Sequence, residues 1–119
     1  MTMVDDSPVT ADPWTTPERQ ALRQLARDFV AKEIAPSMPA WEQEGELPRA
    51  LHRRAAEVGL LGVGFPEEVG GSGGDAIDSA IVTEEILLGG GSTGVCASLF
   101  THGIAVPHIA TNGSPDLVD

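Results

Sequence analysis

Thr15-Thr16-Pro17-Glu18-Arg19-Gln20-Ala21-Leu22-Arg23-Gln24-Leu25-Ala26-Arg27-Asp28-Phe29 is the stretch that decides the fold class of this chain. It opens with a helix-start signal: a hydroxyl to cap the first turn, a proline where its missing N–H costs nothing, and an acid in the first turn. Leu22, Leu25, Ala26 and Phe29 then recur at i, i+3, i+4 and i+7, the spacing of one buried helical face. Arg19, Arg23, Gln24, Arg27 and Lys32 occupy the other side. The helix is expected to stop near Ala35, because Pro36 disfavours helical geometry in the residue before it.

The same signals recur downstream. Trp41 lies in a short segment between Pro39 and Gly45. Pro48 can open a helix with Leu51, Ala55 and Val58 on one face, Gly59 as its left-handed terminator and Leu60 as the hydrophobic contact beyond. Residues 60–65 read as an extended connection rather than a strand, and 66–74 as a glycine-dense loop. Asp75 can cap a helix through Leu88, with Ile77, Ile81 and Leu88 on one side and Glu84 and Glu85 near its end. After the glycines at 89–91, Ser92 or Thr93 can cap another helix, and residues 95–106 are apolar around most of the circumference, as in a buried helix.

The expected fold is therefore all-α: an orthogonal helical bundle of about five to six helices with Gly-rich connections. Residues 1–13 read as a flexible acidic tail, which leaves 14–119 as the domain. Near the end, Gly113 reads as a terminator, Ser114 as a cap and Pro115 as a first helical position. A helix of about five residues cannot outweigh its nucleation cost, so the domain is expected to be truncated there.

Composition narrows the function. The chain has 119 residues, the size of one domain, and is 41% hydrophobic with only 4% aromatics, which suits close helix packing better than an aromatic-lined groove. All seven Lys and Arg lie between Arg19 and Arg54, within a net charge of −11. That disfavours nucleic acid, which needs clustered cations, and makes the second half a poor home for a cofactor pyrophosphate. No secretory signal or membrane-length apolar run is present, and the single Cys96 can form no internal disulfide; a soluble, cytoplasmic protein is expected.

Gly71-Ser72-Gly73-Gly74-Asp75-Ala76 matches the dinucleotide pattern G-x-G-x-x-[GA], but Pro66, Glu67, Glu68 and Val69 stand where a strand should precede it. Two G-x-S-x-G matches, at Ser72 and Ser92, lack the strand-to-helix context of a nucleophile elbow, and no reliable acid partner accompanies His52, His102 or His108. His102 and His108 also lack the one-turn spacing of a metal pair and read as hydrogen-bonded core or interface residues. Cys96 reads as a small buried hydrophobe, and Glu84 and Glu85, about 100° apart on a helix, as surface or capping residues. No catalytic, cofactor-binding or metal-binding residue is assigned.

The segments Thr16 to Arg23 (T-P-E-R-Q-A-L-R), Ile34 to Pro36 (I-A-P), Trp41 to Pro48 (W-E-Q-E-G-E-L-P), Glu57 to Gly62 (E-V-G-L-L-G) and Pro66 to Gly74 (P-E-E-V-G-G-S-G-G), with Glu84 and Glu85, occur in the order seen in acyl-CoA dehydrogenases. Over nearly all of residues 15–119 the chain resembles the helical amino-terminal domain of that family. The resemblance implies an FAD-dependent oxidoreductase acting on an acyl-CoA thioester, usually a homo-oligomer and often serviced by an electron-transfer flavoprotein. It further implies that the flavin and a catalytic glutamate belong to domains not found in this sequence, so that this chain alone is inactive.

The resemblance also places residues 92–107 beside the fatty acyl chain. Cys96, Leu99, Phe100 and Gly103 recur at three- and four-residue spacing and so share one helical face. They are the candidate substrate-binding residues; packing of the domain core is the equal alternative. Rival readings of the whole chain are a non-catalytic helical interaction module, or the same domain in an acyl-CoA oxidase or flavin monooxygenase.

Overall fold

Helix α1 (Pro17–Phe29) starts where its signal places it, with the Thr16 hydroxyl accepting from the Arg19 N–H at 3.3 Å. The computed structural model describes residues 12–118; residues 1–11, which hold most of the expected tail, lie outside the described residues. Asp12 caps a 3-10 turn, Pro13–Thr15, that leads into α1.

The chain does not stop before Pro36. Val30–Ile34 widen into a π turn in which the Ala35 N–H donates to the Val30 carbonyl, and Ala35–Ser37 tighten into a 3-10 turn that runs into α2 (Met38–Glu44). Pro36 has no N–H, and its ring collides with the carbonyl four residues back in a regular helix. Changing the turn width puts Pro36 in the first turn of a new segment and lets Ala35 keep helical angles (φ −54°, ψ −44°). Burial of Val30 and Ile34, 1% and 0% exposed, repays the irregularity.

Helix α2 buries Trp41 and ends on Gly45 at φ +81°, a left-handed conformation that favours glycine. Helix α3 (Arg49–Glu57) ends before Gly59, which has φ +87° as a terminator should, and Leu60 is buried beyond it. Leu51 and Ala55 are fully buried, whereas Val58 and, on α1, Leu25 are 41% and 40% exposed, against the expectation that both face the core.

Between α3 and α4 (Ala76–Leu88) the chain forms two 3-10 turns, Leu60–Gly62 and Glu67–Val69, and one isolated parallel bridge between Val63 and Gly73. No strand forms among the described residues, and the all-α class holds. Asp75 caps α4 as expected. The buried face of α4 is Ile81, Val82, Glu85 and Ile86, while Leu88, expected beside Ile81, is 73% exposed. The helix is apolar on several sides, so periodicity alone leaves its rotation open; packing along α1 selects it.

Helices α5 (Thr93–Phe100) and α6 (His102–Asn112) replace the single buried helix expected over 95–106. The Thr101 hydroxyl bonds back to the Ala97 carbonyl at the break, and Pro107 lies inside α6. Both weaken a continuous helix. Val95 and Leu99 are buried, but α6 buries no residue, and Ile104 is 76% exposed. A short α7 (Pro115–Val118) follows Gly113 and Ser114. One core joins Phe29 and Ile34 to Trp41, Leu51, Ile86 and Leu99.

Candidate functional site

The glycine-rich loop is closed on itself. The Asp75 carboxylate accepts from the N–H groups of Ile77 (2.9 Å) and Asp78 (3.3 Å), and the Asp78 carboxylate accepts from the Asp75 N–H at 2.8 Å. The helix-start donors that a pyrophosphate needs are thus engaged by the protein's own acids. Arg19 seals the arrangement, with Nε 3.0 Å from Asp78 and Nη2 2.9 Å from Asp75, and its guanidinium holds the Asp78 carboxyl below its ordinary value. Within the loop, the N–H groups of Gly71, Ser72 and Gly73 donate to Pro66, Gly62 and Phe65. Most main-chain donors of the dinucleotide-like segment are therefore engaged within the chain.

Neither serine motif forms a nucleophile. Ser72 Oγ donates to the Gly59 carbonyl at 2.6 Å, and Ser92 Oγ caps α5 by accepting from Val95 N–H at 3.2 Å. His52 meets Ser98 instead, at 3.1 Å. Among the described residues no group of three His, Cys, Asp or Glu is arranged to hold a metal.

Glu85 departs from its expected surface role. Its side chain is 3% exposed, against 49% for Glu84. Arg27 grips it with two bonds, Nε to Oε2 at 3.1 Å and Nη2 to Oε1 at 3.0 Å, and Arg23 adds Nη1 to Oε1 at 2.9 Å. The bond from Arg27 leads in holding the Glu85 carboxyl below its ordinary value, against the opposing effect of burial. Arg19, Arg23 and Arg27 therefore reach across to α4, with Arg19 and Arg23 largely covered and Arg27 still 57% exposed. Their spacing of four residues builds an ion-pair ladder beside the apolar face of α1.

An apolar recess of about 230 Å³ lies between α4, the start of α6 and the connection after α3. Leu60, Val63, Phe65, Val82, Phe100 and Gly103 line it. The hydroxyls at its edge are spent on main chain, Ser79 Oγ donating to Val63 O at 3.4 Å and Thr83 Oγ1 to Ser79 O at 3.2 Å. Of the four candidate substrate residues, Phe100 and Gly103 open onto this recess. Leu99 is 2% exposed in the core, and Cys96 is half-buried against it, where burial pushes the thiol above its ordinary value. His102 and Phe65 also border the recess, although their spacing in sequence carried no sign of it. His102 Nε2 lies 2.8 Å from the Leu61 carbonyl, in keeping with a hydrogen-bonded histidine, while His108 is exposed.

The chain matches the family described as acyl-CoA dehydrogenase, N-terminal domain, over residues 16–118. It is 46% identical over 80 residues to a probable acyl-CoA dehydrogenase of Bacillus subtilis, covering 67% of this chain and 21% of the relative. It is 38% identical over 101 residues to the mitochondrial long-chain specific acyl-CoA dehydrogenase of Sus scrofa, covering 85% of this chain and 23% of the relative. A crystal structure of a probable acyl CoA dehydrogenase from Mycobacterium abscessus superposes with a TM-score of 0.85 at 73% identity, covering 88% of this chain and 28% of that one. The chain thus spans between 21% and 28% of the length of these relatives. With its helical fold and the extent of this match, the chain belongs to the acyl-CoA dehydrogenase family, within which it corresponds to the N-terminal domain.

Proposed function

We propose that this chain forms one wall of the acyl pocket in an FAD-dependent enzyme that introduces an α,β double bond into an acyl-CoA thioester. The match of residues 16–118 to the N-terminal domain of acyl-CoA dehydrogenases carries the reading. The apolar recess bordered by Phe100 and Gly103 supports it, because a hydrocarbon tail gains about 0.8 kcal/mol per buried methylene in such a surface. Phe100 and Gly103 meet the tail, with Cys96 and Leu99 behind them on α5. A soluble cytoplasmic homo-oligomer that passes electrons to an electron-transfer flavoprotein completes the reading; no described helix is long and apolar enough to cross a membrane.

The residues of this chain do not fit the pyrophosphate of FAD. Of the two glycine-rich helix starts among the described residues, that of α4 is occupied by Asp75 and Asp78 and that of α5 is capped by Ser92, and no Lys or Arg follows Arg54. The flavin and the base that removes the α-proton then belong to other segments of the intact enzyme, and this chain's share is to shape the pocket and exclude water. Two measurements test the division. Titrating the 119-residue chain with FAD should leave flavin fluorescence unchanged, and tight stoichiometric binding overturns it. The longer flavoprotein containing this segment should oxidise acyl-CoA thioesters; a flavoprotein inactive on every chain length refutes the assignment.

A further inference from the structure

Phe65 and His102 stack with ring centroids 5.5 Å apart and 29° between their planes, within the range of a favourable aromatic pair. Both rings border the recess described above, and both also border a second apolar recess of about 190 Å³ on the other side, reached from Leu61, Val69 and Ile109. The His102 ring is bonded to main chain, and the backbone that carries Phe65 is itself held by main-chain bonds. His102 Nε2 is 2.8 Å from the Leu61 carbonyl oxygen, which only accepts, so Nε2 carries the hydrogen and the imidazole plane is held in one orientation. Phe65 donates its N–H to Gly62 O at 3.1 Å and accepts from Gly73 N–H at 2.8 Å. Gly71 closes on it so tightly that a Cβ there would stand 2.2 Å from the Phe65 carbonyl oxygen.

We infer that the Phe65–His102 pair is a fixed partition that sets the far end of the acyl recess and so limits the length of acyl chain accepted. This rests on the reading of the larger recess as the acyl site. The Ser79 and Thr83 hydroxyls give their protons to main-chain carbonyls and a hydrocarbon tail offers no donor in return, so the recess selects such a tail by shape, and on this side that shape is set by two stacked rings. The imidazole is one of two rings that line both the recess of about 190 Å³ and that of about 230 Å³, so removing it opens the boundary between them on the His102 side.

The test uses the full-length flavoenzyme and a homologous series of straight-chain acyl-CoA thioesters, with wild type, Phe100→Ala, His102→Ala and His102→Gln compared by kcat/KM. His102→Ala should extend the accepted chain, with a gain of about fourfold for each methylene past the wild-type limit, carried mainly by KM. His102→Gln keeps a donor for Leu61 but not a ring, and should shift the profile the same way by less. Unchanged profiles in both His102 variants, with a shift in Phe100→Ala, overturn the partition and leave the acyl site standing. Unchanged profiles in all three overturn both. If His102→Ala fails to fold, His102→Gln decides by the same criterion. Independently, nitrogen NMR should show His102 protonated at Nε2 when neutral, and the Nδ1–H tautomer would overturn the fixed orientation.

Discussion

Replacing Glu85 with Gln removes one negative charge from a side chain that is 3% exposed and receives three bonds from two arginines. Breaking a fully buried ion pair costs about 3–5 kcal/mol, because the abandoned charge stays in a poor solvent. Here the arginine side chains are 57% and 22% exposed and can turn toward water, which cuts that penalty. Relief of the carboxylate's own desolvation offsets more. About 2 kcal/mol is then the expected loss at neutral pH, from weakened charge-assisted bonds to Glu85. Urea unfolding followed by circular dichroism should show it as a midpoint lowered by about 1 M, with the slope unchanged.

The pH dependence provides a second check. The Glu85 carboxyl is held below its ordinary 4.5 in the folded chain, so its stabilisation is complete above that value and is lost as pH falls through the folded one. The gap between wild type and Glu85→Gln should stay constant through neutral pH and narrow below about pH 4.5. Asp78 is depressed in the same sense but is present in both proteins and cancels. A loss under about 0.5 kcal/mol at pH 7, or a gap that does not change on acidification, refutes the claim that Glu85 is held by charge rather than shape.

Leu99→Ala should cost about 2–5 kcal/mol in the same unfolding assay, because Leu99 is 2% exposed within the core; a loss below about 1 kcal/mol would take it out of that core. Gly71→Ala should destabilise the loop between α3 and α4, since the added Cβ would meet main chain at 2.2 Å; faster amide exchange at Ser72 and Gly73 reads this directly, and unchanged exchange contradicts it. Cys96 should react with a thiol reagent at pH 8 more slowly than free cysteine does, because burial raises its thiol and keeps it protonated; a rate equal to the free amino acid refutes this.

Local sequence determined the helix starts and the stop at Gly59. Thr16, Asp75 and Ser92 cap the helices expected of them, and Gly59 takes the left-handed turn assigned to it. These are contacts between residues within a turn of one another, which spacing specifies. The all-α class and the family likeness were legible for the same reason, since both rest on short motifs in order. Tertiary structure decided what spacing leaves open. Which side of α4 is buried depends on Arg23 and Arg27, about 60 positions away, reaching Glu85. The passage through Pro36 depends on Val30 and Ile34 having a core to enter, and the break at Thr101 left α6 exposed where a uniformly apolar stretch suggested burial. The candidate site divides in the same way: Phe100 and Gly103 could be chosen from helical spacing on α5 and α6, but Phe65 reaches His102 only when the loop after α3 folds back on itself. A helical period reports which residues share a face, and only packing with distant segments decides whether that face meets core, solvent or a cavity.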